Sequence, residues 1–199
     1  VDGVNVTIFS RADSDRADLR RTVAAMRATV PIDETPATFD ATLPRAWRPQ
    51  RFHAAQSAAF RSTARHRAIE AGRRSGKSEG RKREIVIRAL DPDWPLPVRY
   101  IVVGAPTQQQ SMRLYWRDLL ALLPKRFVRA VRKTDYEIET VTGALIRVSG
   151  MDKPQRVEGD PIDDLFLDEF ADMRLGNAVL EDHLGPSLST PDRPPGRLT

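Results

Sequence analysis

The sequence predicts an α/β fold, a mainly parallel sheet with flanking helices, and three observations carry the prediction. Two short apolar runs, Tyr100-Ile-Val-Val-Gly104 and Asp164-Leu-Phe-Leu-Asp168, have the composition of strands buried on both faces. Helical patterns over 78–90 and 108–123 alternate with such runs, and prolines at 92 and 124 close them. A Gly76-Lys77-Ser78 triplet sits where an extended stretch passes into a helix. Strands alternating with helices in this order favour parallel pairing through crossover connections.

The elements follow in chain order. Residues 13–30 place Leu19, Val23, Met26 and Val30 at helical spacing, with Ser14 as a candidate N-cap and Pro31 as the stop. From 31 to 49 there are four prolines and little periodicity, so residues 1–50 read as an N-terminal helix and a proline-rich linker or strap. The pattern changes at Arg51, where the main domain, residues 51–199, begins. Residues 53–61 suit a short helix and 67–71 a short strand running into a glycine-containing turn. Two further strands, 136–139 and 145–148, flank Thr142-Gly143 as a hairpin. Ser189-Thr-Pro191 follows no apolar strand and reads as a loop.

Composition narrows the function classes. The chain has 199 residues, 40% of them hydrophobic and 30% charged, with a mean hydropathy of −0.45. A domain of this size buries about 70% of its unfolded surface and needs no covalent staple. No stretch approaches the 18 or more apolar residues of a membrane span. Cysteine is absent, which excludes disulfides, thiol catalysis and cysteine zinc sites. No basic segment precedes an apolar one at the start, so secretion has no support. The start at Val1 points to a fragment. His53, His66 and His183 have no ligand spacing, and Trp47, Trp94 and Trp116 are scattered as packing residues.

Thirty-two Lys+Arg against 27 Asp+Glu give a net charge of +5, and only five of the basic residues are lysines. The charge is segregated. Residues 51–88 hold 11 basic and three acidic residues, and 113–133 hold seven basic and one acidic. Residues 160–182 hold eight acidic residues and only Arg174. A polyanion site beside an acidic, cation-holding cluster would give this pattern, and so would two solvated faces.

The stretch Ala71-Gly-Arg-Arg-Ser-Gly-Lys-Ser78 carries the first chemistry. Free backbone N–H groups at a helix start, with the helix dipole behind them, bind phosphate. Lys77 would reach the outer phosphates and the Ser78 hydroxyl would ligate magnesium. The usual consensus asks for glycine where Ala71 stands, and Gly72 is one residue late; a simple helix cap is the competing explanation. Arg73 and Arg74 lie in the loop, where either is a candidate phosphate contact or a surface cation. Leu165-Phe-Leu-Asp-Glu169 then delivers two carboxylates at the end of a buried strand, where α/β proteins bind ligands. Asp168 would hold the metal ion and Glu169 would polarise a water, unless the pair merely caps a helix.

Taken together these pieces resemble the ATPase domain of the large terminase subunit of tailed bacteriophages, over about residues 43–199. Phe52-His-Ala-Ala-Gln56 looks like an adenine-reading Q motif, residues 71–78 are similar to the family's divergent phosphate loop, and Val103-Gly-Ala-Pro-Thr-Gln108 looks like its strand-end motif. Arg156-Val-Glu-Gly159 and 164–173 are similar to an Arg-Gly turn followed by the Walker B strand. The resemblance implies a P-loop NTPase fold of the ASCE, RecA-like type, incomplete at its C-terminus, without the family's nuclease domain. It implies ATP and Mg²⁺ as cofactors. Gln56, Gly72, Arg74, Ser75, Gly76, Lys77 and Ser78 would contact nucleotide, and Ser78 and Asp168 the metal. Glu169 would be catalytic, with Arg73 as a finger in cis. Partners would be double-stranded DNA, the small terminase subunit, the portal protein and other copies in a ring, in the cytoplasm of a bacterial host and away from membranes. A helicase-like ATPase shares most of these signals, and a catalytically silent nucleic-acid-binding fragment shares the basic stretches.

Overall fold

The computed structural model describes residues 11–30, 38, 40–51, 53–72, 75–174 and 176–199. Its centre is a six-stranded sheet in the order β2-β3-β4-β1-β5-β6. These strands are β1 (Arg99–Ala105), β2 (Val128–Arg132), β3 (Glu137–Thr140), β4 (Ala144–Gly150), β5 (Asp164–Leu167) and β6 (Arg197–Leu198). β1 runs parallel to both β4 and β5, and β5 parallel to β6, while β2, β3 and β4 form an antiparallel meander. The predicted mainly parallel sheet with flanking helices is therefore present. Four of the seven β1 residues are bulky and apolar, and Ile101 and Val103 have no exposed surface. Only a strand covered on both faces uses such a run.

The helices are α1 (Arg11–Ala28), α2 (Ala54–Arg61), α3 (Lys77–Ala89), α4 (Gln108–Ser111) and α5 (Arg117–Leu122). A π-helical segment, Met112–Trp116, joins α4 to α5. Ile85, Val86 and Leu90 of the α3 region meet Ile101, Val103, Ile146 and Phe166 of the sheet in the main core. Each side chain fully buried there contributes about 1.5–3 kcal/mol relative to exposure. On the other side of α3, Leu19, Val23 and Met26 of α1 join the same core, as the helical spacing predicts. The 3₁₀ turn Arg45–Trp47 lies against α5: Trp47 is fully buried and its Nε1 donates to Leu122 O at 2.7 Å.

Two expectations need correction, and one strand was not foreseen. The strand at 67–71 does not form; only His66 bridges to Leu198, flanked by Arg67 N–H to Leu198 O at 2.9 Å. With two residues, β6 offers partners to 65–67 and no further. Ser14 lies inside α1 rather than at its cap, because the helix starts at Arg11; Pro31 lies outside the described residues. β2 was not expected, since its alternation of Val128, Ala130 and arginines reads as surface charge. The hairpin is as expected, and its glycine is required. Gly143 has φ +86° and a Cβ there would lie 2.1 Å from Pro97 O.

The charge blocks also resolve differently. Arg81, Lys82, Arg83 and Glu84 are all buried, so much of the basic excess at 51–88 is internal. Arg67 pairs with Glu84 at 2.5 Å, while Arg88 and Arg99 each reach Asp164 at 2.7 Å. Asp163 is taken by Arg193 at 2.6 Å and by Tyr100 N–H. With Asp160 on Arg147 and Asp168 on Arg81, half of the acidic residues at 160–182 are in ion pairs, and among the described residues no cluster of three or more His, Cys, Asp or Glu is arranged for a metal. Nor is any helix among them long and apolar enough to cross a membrane.

Candidate active site

The site begins at the turn that opens α3. Gly76 takes the left-handed conformation, φ +79°, and a Cβ there would lie 2.5 Å from Gln56 Nε2. Glycine is thus demanded twice, by backbone conformation and by the approach of the Gln56 amide. That amide donates to Ser75 O, tying α2 to the loop. Ser75 N–H donates to Gly72 O at 3.3 Å and Gly80 N–H to Gly76 O at 3.0 Å. The first amides of α3 carry the positive end of a 13-residue helix dipole. Lys77 stands half-buried at this end and makes no hydrogen bond or ion pair among the described residues. Arg73 and Arg74 lie outside the described residues.

The sheet supplies the other half. Asp168 follows β5 directly and its N–H donates to Gly104 O at 2.8 Å, which fixes it at the carboxyl end of the parallel strands. Ser78 Oγ donates to Asp168 Oδ2 at 2.7 Å across 90 residues of sequence. Ser78 and Asp168 are thus brought together, with Lys77 next to Ser78 in the chain. Glu169 is exposed and has φ +53°, a left-handed backbone that costs a non-glycine residue about 1–2 kcal/mol. Such strain is found at functional turns, and here it accompanies a carboxylate turned out from the strand end.

Beside the loop lies a cavity of about 480 Å³ between α2, residues 62–71 and the start of α3. Ser75, Gly76 and Lys77 line one part, while Ala55, Ala59 and Phe60 contribute apolar surface. A pocket with a cationic, amide-rich wall and an apolar wall suits a ligand with an anionic part and a flat organic part.

Solved structures share this architecture. The ATPase domain of the large terminase of Thermus phage P74-26 superposes with a TM-score of 0.61 at 23% identity, covering 74% of this chain and 63% of that one. The fold is that of a phage large-terminase ATPase domain. An arginine-to-alanine mutant of the same domain matches with a TM-score of 0.60 at 24% identity over the same shares. The chain therefore spans less than two thirds of the length of the terminase domain it matches. No protein-family profile and no curated protein matches the sequence.

Within this terminase-type fold two further side chains reach Asp168, and sequence reasoning missed both. Tyr115, fully buried in the π-helical segment, donates its hydroxyl to Asp168 Oδ2 at 2.8 Å. Arg81, one turn after Lys77 on α3, places Nη1 at 3.6 Å from Asp168 Oδ1 and donates to Leu167 O at 2.6 Å. The i+4 spacing from Lys77 was a usable signal for Arg81; Tyr115 carried none, since it occupies an ordinary core position in the helical pattern. Burial alone would push the Asp168 carboxyl up. The Ser78 hydrogen bond, the Arg81 charge, the Tyr115 hydroxyl and the Glu169 N–H outweigh it and hold the group below the usual carboxylate range. Tyr115 moves the other way, chiefly through burial and then through the nearby carboxylate charge, so its phenol stays protonated.

An ionised carboxylate and a hydroxyl in contact are the hard oxygen donors that Mg²⁺ prefers, and two protein oxygens suffice because the ion keeps waters and takes substrate phosphates. Ser78 and Asp168 therefore fit the ion.

Proposed function

We propose that the chain is the ATP-binding, ATP-hydrolysing motor domain of a phage large terminase, acting on double-stranded DNA as the genome enters the procapsid. The observation that carries the reading is the 2.7 Å contact between Ser78 Oγ and Asp168 Oδ2, which brings the phosphate loop to the strand-end carboxylate. The cavity next to Lys77 and the terminase-like fold support it.

In this mechanism the amides after Gly76 and the Lys77 ammonium bind the β- and γ-phosphates, and Gln56, which lines the cavity, reads the base. Gly72, Ser75 and Arg74 are further phosphate contacts. Ser78 and Asp168 would hold Mg²⁺, which would supply positive charge beside the developing phosphate oxyanions. Glu169, at the turn beyond the strand, orients and polarises the attacking water. Arg73 acts as a finger in cis on charge that develops during transfer. The small terminase subunit, the portal protein and further copies in a ring are the partners this role requires, and the host cytoplasm is where it is performed.

Phosphate release from ATP, with and without linear double-stranded DNA, tests the reading. Turnover should vanish in Lys77→Ala and Glu169→Gln, and its stimulation by DNA should fall steeply between about 50 and 200 mM salt as phosphate contacts are screened. Turnover that survives in both variants would overturn it.

A further inference from the structure

We propose that Tyr115 is a positioning residue for the magnesium-holding carboxylate, the buried donor that fixes which way that carboxylate faces. The inference rests on the ATPase reading above and concerns the same site.

The argument starts from how Asp168 is held. Oδ1 accepts from the Glu169 N–H at 3.0 Å and lies 3.6 Å from Arg81 Nη1. Oδ2 accepts from two hydroxyls, Ser78 Oγ at 2.7 Å and Tyr115 at 2.8 Å. The two hydroxyls are not equivalent. Ser78 sits at the start of α3, half-exposed, and as a metal ligand its oxygen would be shared between the cation, through a lone pair, and Asp168, through its proton. Tyr115 is fully buried and has no other hydrogen-bond acceptor among the described residues. Facing a carboxylate, which only accepts, its hydroxyl is the donor. Among the described residues Tyr115 is thus the hydroxyl given over to Oδ2 alone.

The backbone around Tyr115 fits the role. It lies in the π-helical segment Met112–Trp116, between α4 and α5. Single π turns cost helix hydrogen-bond geometry and are found where a side chain must be re-aimed. The segment is anchored from α4 by Ser111, whose Oγ accepts from Ala105 N–H and donates to Ser149 O, both at 2.8 Å. The phenol is thus held against the ends of β1 and β4, next to the carboxylate it supports. Partners of this kind orient the ligand that touches the metal, and losing one typically costs about 10–100-fold in metal affinity.

The decisive experiment is calorimetry on the 199-residue chain with the β,γ-imido analogue of ATP, with and without Mg²⁺, for wild type, Tyr115→Phe and Tyr115→4-aminophenylalanine. Wild type should bind more tightly with the ion than without it. Tyr115→Phe, which removes one oxygen and keeps the ring, should bind the metal-free analogue as wild type does and lose about tenfold or more of the magnesium-dependent gain. The amino variant, which keeps a donor at the same place, should recover most of that gain and serves as the reference should the Phe variant fold poorly. A residue that merely fills the core would shift both affinities alike. Full magnesium-dependent gain in Tyr115→Phe would overturn the proposal and leave the ATPase reading standing. Absence of any gain in wild type would overturn the ATPase reading and the proposal with it.

Discussion

Replacing Asp168 by Asn should destabilise the protein, although removal of a buried acid from a magnesium site commonly relieves repulsion. The reason is Arg81. Its side chain and that of Asp168 are only 6% and 3% exposed, and the guanidinium stands 3.6 Å from the carboxylate. Leaving one member of a buried pair without its counter-ion costs about 3–5 kcal/mol. Arg81 keeps its hydrogen bond to Leu167 O and Asn still accepts from Ser78 or Tyr115, which points to the lower end, about 3 kcal/mol. In a chain of this length each kcal/mol moves the melting temperature by about 2–4 °C, so Asp168→Asn should melt about 6–12 °C below wild type. The pH dependence has a definite sign. A carboxyl held below its usual range stabilises the folded state above that range, and the contribution is lost as pH falls through the folded value. The melting gap between wild type and variant should therefore be constant from pH 5 to 8 and close on acidification below about pH 4. Thermal melts followed by circular dichroism across that range give the answer. An Asn variant that melts at or above wild type at pH 7 would refute the assignment of Arg81 as the counter-ion.

Three other outcomes follow from the geometry. Lys77→Ala should leave stability within about 0.5 kcal/mol, because the ammonium has no partner among the described residues, while titration with an ATP analogue shows binding lost. Glu169→Gly should raise stability by about 1 kcal/mol in denaturant titrations, by relieving the left-handed backbone, and abolish phosphate release. Gly143→Ala should cost at least about 2 kcal/mol in the same titrations, since the new methyl group meets Pro97 O in a backbone already at φ +86°.

Much of this was legible in the sequence where one physical cause dominated. β1 and β5 announced themselves because strands covered on both faces must be apolar without alternation, and Leu19, Val23 and Met26 because a buried helix face repeats at 3.6 residues. Lys77, Ser78 and Asp168 could be singled out because the proposed chemistry would need those residue types at the ends of those elements. The strand expected at 67–71 failed because a strand exists only with a partner, and the ladder offered by β6 stops at residue 67. β2 hid for the opposite reason: Arg129 and Arg132 look like solvated charge, yet they pair with Glu139 and Glu137 across the ladder. The basic stretch at 51–88 misled as a surface because burial and pairing are invisible in a charge count. Tyr115 could not be singled out, since a π turn decides where it points and nothing in the sequence marks that turn.

The turn carrying Trp47 has a practical bearing on how this protein is dissected. Its indole is inserted between α3 and α5, with Arg83 stacked 5.7 Å from the ring centre and donating to Ala46 O and Arg48 O. A shortened chain starting at residue 51 would lose that plug together with the apolar face of α1. The helix that begins at Lys77 would then lie open to water along Ile85 and its neighbours. Such a trimmed protein would be a clumping hazard, and silence from it in a nucleotide assay would report on exposed grease and not on the loop's chemistry.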